Sequence, residues 1–394
     1  MSEASAWSIN ADESRAATGS AQTRNHRTCP LDVGALAPWF RAPTRTRNNY
    51  VFDSVAGRHV LLCFPGRWDA TAAGLVEALL TVPDPFDDER LCFFGVQAGV
   101  PAGAACEPPL REDRVPGIRF FQDPDGILCR LYGAWRADGP LPRVAFLLDP
   151  ALRVKSVFNL EAPDAAAIAA VHRALDAVPR PGPRLPVQPH APVLVVPDIF
   201  EPALCRRLVA FYDAAGGTDS GFMREVDGLT VGVVDHQFKR RRDCLIENED
   251  LRQTTMHRIH DRLAPQIERA FQFRPTRMER HVVSCYEASD RGMFRAHRDN
   301  TTRGTAHRRF ALSLFLNDDY EGGQLVFPEY GSALYSAPAG GGVVFSCSIL
   351  HEALPVTAGR RYMYLPFLYD EAARRVREAN AAFLVPSATG AGGQ

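Results

Sequence analysis

In the first half of the chain, short apolar runs alternate with amphipathic segments. The runs HVLLCF, RLCFFGV and RVAFLLD have the length and the aliphatic and aromatic content of buried strands. The segments TAAGLVEALLTV and DAAAIAAVHRALDAV have the apolar spacing of helices that cover a sheet. Each of them lies C-terminal to one of the apolar runs. This order predicts an α/β domain in which helices pack on a central sheet.

The second half has a different pattern, in which helices come first and strands follow. The apolar spacing predicts a helix over 202–215 and another over about 249–271, and strands from 280 to 369 separated by turns rich in Gly and Asp. ALSLFLN and VVFSCS are the expected core strands, and the glycine pair in DDYEGG predicts a plain tight hairpin. A mainly β domain of two sheets with supporting helices is therefore expected.

A proline-rich stretch divides these two regions. PRPGPRLPVQPHAP contains enough proline to form a stiff linker. We therefore expect five segments, and the first is a disordered tail because it is rich in Ser, Ala, Thr and Arg. The segments are the tail at 1–28, the α/β domain at 29–179, the linker at 180–191, the β domain at 192–372 and a C-terminal tail at 373–394.

Composition narrows the class of protein. The 394 residues are 46% hydrophobic and 23% charged, as in soluble globular proteins, and the formal charge of -1 argues against nucleic acid or another polyanion as a partner. No long uncharged apolar span or secretory leader is visible, so neither a membrane nor export is expected. The nine cysteines never form a C-x-x-C pair, which favours reduced thiols and a cytoplasmic location.

The candidate chemistry lies in the β domain. His297 and Asp299 are two residues apart, so on a strand both side chains would point to one face while Arg298 points away. His351 would have to come from a second strand or its end. Two imidazoles and one carboxylate leave adjacent positions open on Fe(II) for a chelating cosubstrate and dioxygen, whereas zinc more often takes four closed ligands.

Two basic residues compete for the role of a cosubstrate anchor. Arg361 shares a strand face with apolar residues at 363, 365 and 367, which favours it over Arg360 if the register holds. An arginine suits the role because its planar fork matches a carboxylate and keeps its charge when partly buried. His281 and His307 lie nearby without the spacing of ligands, so we expect them to be structural.

These features resemble the prolyl-4-hydroxylase-like branch of the Fe(II)/2-oxoglutarate-dependent dioxygenases. The resemblance covers about residues 192–370, from APVLVVPDIFEPALCRRLVAFYD through HEALPVTAGRRYMYLPF, and implies a double-stranded β-helix, or jelly roll. It implies that His297, Asp299 and His351 bind iron and that Arg361 pairs with the distal carboxylate of 2-oxoglutarate. Tyr286, in CYEASDRGMFRAHRDN, is similar to a tyrosine that hydrogen-bonds the same cosubstrate.

The resemblance also implies a reaction. Fe(II), 2-oxoglutarate and O2 would be used, with ascorbate as a candidate reductant, to hydroxylate an unactivated C–H bond and release succinate and CO2. Related halogenases have a small residue where this chain has Asp299, so an oxygenase outcome is implied instead. The substrate stays open among a free amino acid, a peptidyl residue and a biosynthetic intermediate.

The α/β domain, residues 31–178, resembles the peroxiredoxins, which are thioredoxin-like. ALAPWFRAPT, HVLLCFPGRWDATAAG, FFQDPDGILCRLYGAW and PRVAFLLDPALRV are the segments that match. Pro65 and Arg143 of the peroxide site are kept, but Asp69 stands at the threonine position and Ala72 at the position of the attacking cysteine. Without that thiolate we expect a degenerate redoxin that serves as a scaffold, as a surface for homodimer formation or as a recognition module.

One further motif and two other possible functions stay open. The run KRRRD at 239–243 could receive an anionic substrate group or a peptide, although a solvated surface is the favoured interpretation because most charge runs are solvated. A catalytically silent scaffold protein is a second possible function. A peroxidase that uses another thiol, such as Cys63, is the third.

Overall fold

The computed structural model describes residues 5–6, 30–81, 86–100, 105–136, 138–184, 186 and 189–385. Their contacts divide the chain into two compact units, Asp12–Leu185 and Pro186–Gln394, with Met1–Ala11 assigned to the second. The tail expected at 1–28 lies outside the described residues apart from the short strand Ser5–Ala6. No described helix has the length and apolar character needed to cross a membrane.

The first unit contains a five-stranded sheet. Three neighbouring strands run parallel, and the last two pair antiparallel with their neighbours. In sheet order the strands are Ile118–Asp123, Leu91–Ala98, His59–Pro65, Arg143–Leu148 and Val154–Asn159. A separate short pair is formed by Arg41–Ala42 and Tyr50–Val51.

Each face of this sheet is covered by an apolar core, so its central strands are buried on both sides. Along His59–Pro65 alternate residues enter different cores: Val60 lies in one and Leu61 in the other. The core around Leu61 includes the helices Ala70–Leu80 and Ala165–Asp176. The opposite core includes the short helix Ile127–Leu131. The α/β layering expected for this part of the chain is therefore present.

The second unit is built on two antiparallel sheets. The strands of the larger sheet are, in pairing order after Ser5–Ala6, Arg277–Glu279, Phe367–Tyr369, Phe310–Phe315, Arg360–Tyr364, Val282–Glu287, Arg242–Leu245 and Thr218–Asp219, with Gly342–Ser346 and Leu194–Val196 paired beside Phe310–Phe315. The smaller sheet has the order Lys239–Arg240, Met293–His297, His351–Ala353 and Leu325–Val326.

The two sheets face each other across an apolar core, which makes the unit a double-stranded β-helix. The core contains Phe294 and Ala353 from the smaller sheet and Phe315 and Met363 from the larger one. On its other face the larger sheet is covered by helices. These helices are Pro202–Ala215, Glu249–Arg258 and Ala264–Phe271, with a π-helical turn at Ile259–Leu263 between the last two.

Two short strand pairs complete the unit. The hairpin Phe222–Val226/Leu229–Val233 stands apart from the main sheets, and Glu321–Gly322 pairs with Val356–Ala358. The prediction of a hairpin at DDYEGG is therefore wrong. The strand that contains Gly322 pairs with Val356–Ala358, which is distant in the chain. Gly323 has a positive φ of 70°, and a Cβ there would lie 2.7 Å from Cδ of Arg361.

The C-terminal segment departs from the expected tail. Residue 373 lies inside the helix Glu371–Ala379, where Ala373 is fully buried. Asp370 caps the helix by accepting the backbone N–H of Ala373. Residues 381–383 continue as a short 3₁₀ turn, so an ordered segment extends beyond 372.

An ion-pair cluster joins the helices on the covered face. Glu201 accepts hydrogen bonds from Nε and Nη2 of Arg258 and, at 2.9 Å, from Nη1 of Arg262. Burial alone raises the pKa of Glu201, but the bonds from Arg258 and the charges of both arginines outweigh it and lower the pKa to about 2. The ionised carboxylate therefore stabilises the folded state.

We predict that Glu201→Gln lowers the free energy of unfolding at pH 7 by about 1–2 kcal/mol, because the carboxylate is one-third exposed and partly screened. Since the folded pKa is depressed, this stabilisation is present above the unfolded pKa and is lost as the pH falls toward 2. Urea unfolding at several pH values should show the difference from wild type narrowing below about pH 4.5. The exposed Glu268→Gln is the control and should show no such difference at any pH.

Candidate metal centre

Two histidines face each other across a pair of strands. His297 is the last residue of Met293–His297, and His351 is the first residue of His351–Ala353. The two residues are directly paired in the antiparallel ladder, and their ring centroids lie 4.3 Å apart. An irregularity in the register between Phe294 and His297 places the histidine pair at the end of the ladder.

Asp299 completes the cluster from a turn. The expectation that it shares a strand with His297 is wrong, because the strand ends at His297. The backbone N–H of Asp299 instead donates to the carbonyl oxygen of Cys347, and this bond turns its side chain toward both imidazoles. Its carboxylate oxygens lie 3.5 Å from Nε2 of His297 and 3.4 Å from Nε2 of His351.

Hydrogen bonds orient both rings for metal binding. Nδ1 of His297 lies 2.7 Å from the carbonyl oxygen of Arg295, and Nδ1 of His351 lies 3.0 Å from that of Ile349. A carbonyl only accepts, so each Nδ1 carries the proton and each Nε2 keeps its lone pair for a metal. The ring of Phe294, stacked at 3.5 Å, further restricts His297.

The protonation states also suit a cation. Burial lowers the pKa of His351 to about 4, so the imidazole is neutral at physiological pH. Burial by itself would raise the pKa of Asp299, but the positive charge near it, which includes that of Arg308, lowers the pKa, so the carboxyl stays ionised. The ligand atoms of all three residues lie within 4.8 Å of one another. Two imidazoles and one carboxylate on one side of a cation are the donor set of a non-haem Fe(II) site.

Arg298 points away from this cluster. Its guanidinium pairs with both carboxylate oxygens of Glu329 and donates to the carbonyl oxygen of Ser348. Glu329 also accepts the backbone N–H of Leu350 at 2.9 Å. This clasp ties the residue after His297 to the residue before His351 and supports the positions of both ligands.

Arg361 lies in the core between the sheets and is 1% exposed. Its guanidinium carbon is 5.0 Å from the ring centroid of Tyr286 and 5.1 Å from that of Phe315. The charge of Arg361 and a hydrogen bond from it reach Tyr320, but its Nε has no hydrogen-bond partner among the described residues. Arg360, the alternative, faces outward toward Glu287.

The basic run at 239–243 is divided by strand alternation. Arg242 is exposed, whereas Lys239 and Arg241 are buried. The expectation of a solvated surface is therefore wrong for these two residues. Arg241 donates to Tyr286 Oη at 3.4 Å and forms a two-point ion pair with Asp243, the acidic residue at the end of the run.

The other two histidines have structural contacts. His281 is buried with Nδ1 at 3.0 Å from Tyr364 Oη, and His307 is buried with Nε2 at 3.0 Å from Glu279. Neither side chain belongs to the His–Asp–His cluster.

The geometry predicts that His351→Ala abolishes tight binding of a divalent metal, since one of three ligands is lost. The affinity should fall by more than the roughly 10–100-fold that loss of a supporting partner costs. Binding of Co(II), followed by its visible absorption, measures the change. His257→Ala, on an exposed helix position, is the control and should bind as wild type does. Equal affinity of the two variants would contradict the assignment of the cluster.

Comparison with known proteins gives independent evidence on the family of this chain. The family model of the 2OG-Fe(II) oxygenase superfamily matches residues 281–369, a range that contains His297, Asp299, His351 and Arg361. A PKHD-type hydroxylase of Synechococcus sp. is 35% identical over 97 residues, and the match covers 23% of this chain and 42% of that protein. The chain thus spans less than half the length of that relative.

A longer match is found in Bordetella pertussis, whose PKHD-type hydroxylase is 30% identical over 195 residues, covering 46% of this chain and 82% of that protein. Among solved structures, a Pseudomonas putida prolyl-4-hydroxylase matches with 18% identity and a TM-score of 0.35 over 46% of this chain and 94% of the other. The chain belongs to the PKHD-type hydroxylases of the 2-oxoglutarate–Fe(II) oxygenase superfamily.

Proposed function

We propose that the protein hydroxylates an unactivated C–H bond of an amino acid, a peptidyl residue or a biosynthetic intermediate, and that it converts 2-oxoglutarate to succinate and CO2 in the same cycle. The observation that supports this most directly is the His297–Asp299–His351 cluster, in which the Nε2 atoms and the carboxylate converge. Such a cluster leaves metal positions open for cosubstrate and dioxygen.

The protein's part is to hold and shield the reactants. When bound, Fe(II) with 2-oxoglutarate and O2 supplies the oxidising chemistry. The three ligands set the coordination geometry, and the clasp formed by Arg298 and Glu329 keeps the two histidine segments together. The apolar rings of Phe294 and Phe345 lie against the imidazoles and limit access of water.

We assign the distal carboxylate of 2-oxoglutarate to Arg361. A buried arginine whose Nε has no partner is costly unless a ligand accepts from it. The flanking rings of Tyr286 and Phe315 hold the guanidinium plane, and Gly323 leaves space for its stem. Tyr286 accepts a hydrogen bond from Arg241, so its own hydroxyl hydrogen is free to donate to the cosubstrate.

This function predicts succinate formation from 2-oxoglutarate by anaerobically purified protein supplied with Fe(II), ascorbate and air, and none by the His297→Ala/Asp299→Ala double variant. Arg361→Ala should raise the KM for 2-oxoglutarate by roughly 10–100-fold, because a charge-assisted pair is worth about 1.5–3 kcal/mol. Arg360→Ala should leave that KM unchanged.

A panel of amino acids and peptides should include one member that stimulates succinate release. A weak visible charge-transfer band from Fe(II) with 2-oxoglutarate under nitrogen tests cosubstrate binding without a substrate. If that band is absent from folded wild-type protein, the proposed function is wrong.

For the first unit we propose a thioredoxin-like fold and descent from a peroxiredoxin. The mixed five-stranded sheet with helices on both faces supports this proposal. Asp69 caps the helix Ala70–Leu80 by accepting from the N–H of Ala72, the residue that stands at the expected cysteine position. Arg143 lies 3.9 Å from Asp69, so the kept arginine faces a carboxylate instead of a thiolate.

We further propose that this unit, residues 29–179, is a scaffold, a homodimerisation surface or a recognition module, joined by the linker 180–191 to the catalytic domain 192–372. A cytoplasmic location accords with the eight described cysteines, all of which are free thiols. Cys63 is fully buried, and burial raises its pKa to about 12, which suppresses the reactive thiolate.

We therefore predict no thiol-dependent consumption of hydrogen peroxide beyond the rate of Cys63→Ala. A coupled assay with dithiothreitol as the reductant measures both rates. Faster consumption by wild type than by the variant would restore the peroxidase alternative, since it would require Cys63 to become exposed and ionised.

A further inference from the structure

A buried cation lies one aromatic ring away from the metal ligands. Lys239 is 3% exposed and pairs in register with Phe294 of the neighbouring strand. Its ammonium lies 4.7 Å from the centroid of the Phe294 ring, which in turn stacks on His297 at 3.5 Å. The lysine is thus placed beside the centre without being one of its ligands.

Among the described residues, the hydrogen-bond acceptors of the Lys239 ammonium are neutral. Nζ donates to Ser220 Oγ at 2.7 Å and to the carbonyl oxygen of Gly221 at 2.6 Å. Over the described ranges of the chain, no carboxylate oxygen lies within 4.0 Å of it. An ammonium has three N–H groups, so one donor is left for another acceptor. Burial, followed by the charge of Arg241, lowers the pKa of Lys239, and the charges of Asp243 and Asp299 offset only part of this effect.

The carboxylate of Asp243, which lies in the same hydrogen-bonded network as Lys239, already has several other donors. Asp243 accepts two hydrogen bonds from Arg241 and one, at 2.8 Å, from Nη2 of Arg280. It also accepts from the hydroxyls of Ser220 and Ser284. Three cationic side chains, those of Lys239, Arg241 and Arg280, are therefore joined in this hydrogen-bonded network to one carboxylate, that of Asp243. The imbalance favours binding of an additional anion.

A cleft connects these cations to the metal ligands. It has a volume of about 550 Å³ and is lined by Lys239, Arg280, His297 and Asp299, among others. One small molecule or one extended side chain can therefore touch both regions. Arg361, the proposed anchor of 2-oxoglutarate, is buried in the core and does not line this cleft.

We propose that Lys239 and Arg280 bind a carboxylate of the primary substrate, so that the protein acts on an acidic small molecule or on an acidic peptide residue. The inference rests on the proposed function and narrows its substrate class. The third N–H of Lys239 and the uncommitted N–H groups of Arg280 suit the two oxygens of a carboxylate. The bound carboxylate positions the adjacent carbon chain across the cleft toward His297 and Asp299.

Acetate is the probe, with acetamide as its neutral counterpart. Saturation-transfer NMR of the methyl protons measures binding of each to the whole protein, and it requires no metal. Relaxation of the same protons by Mn(II), added with saturating 2-oxoglutarate, locates the probe near the metal centre. Acetate should bind saturably and be relaxed by Mn(II), and acetamide should do neither.

Variants identify the residue that carries this binding. Lys239→Met should weaken acetate binding roughly tenfold or more, as expected for loss of a charged hydrogen bond. Lys239→Arg keeps a cation and should retain binding. Arg240→Met, at the outward-facing neighbour, is the matched control and should bind acetate as wild type does. Thermal unfolding identifies any variant that fails to fold. If Lys239→Met does not fold, acetate binding by Lys239→Arg tests the assignment instead.

The two levels of inference fail in different ways. If wild type binds Mn(II) and 2-oxoglutarate but not acetate, or if folded Lys239→Met binds acetate as wild type does, the carboxylate subsite is wrong and the proposed function stands. If Mn(II) and 2-oxoglutarate do not bind, the proposed function is wrong whatever acetate does.

Discussion

The candidate site depends on the pairing of two short antiparallel strands. Only in the register that sets His297 opposite His351 do two imidazoles from distant parts of the chain meet at the end of one ladder. Shifting the register by one residue would turn one ring to the other face of the sheet. This ladder packs against the larger sheet, whose other face is covered by helices. The core between the sheets and the site therefore depend on the same strand pairing.

Electrostatics divides the interior between the sheets into distinct regions. In the His–Asp–His cluster, two imidazoles flank one ionised carboxylate. Arg361 is enclosed by aromatic rings, whose faces attract its guanidinium. On the other side of Phe294, Asp243 gathers a group of basic side chains. An anion that enters this interior therefore meets different cations at different depths.

Much of this could be predicted from the sequence because it depends on periodicity. The helix expected at 202–215 is present with those bounds, and the three residues selected from their type and spacing, His297, Asp299 and His351, lie together in one cluster. Asp299 was placed on a strand in error, since where a strand ends is set by a backbone bond to Cys347. The burial of Lys239 could not be foreseen, because alternation in a two-residue strand has no pattern to reveal it.

The clasp between Arg298 and Glu329 has a consequence for how the site acquires its metal. Because Glu329 also holds the backbone of Leu350, the segments carrying both histidines are joined by contacts that do not involve the metal. The entropy cost of ordering these side chains is part of folding of the polypeptide. Binding of the ion therefore needs little rearrangement. Loading and unloading of iron would then resemble exchange at a rigid chelator, with the apo and holo proteins nearly superimposable.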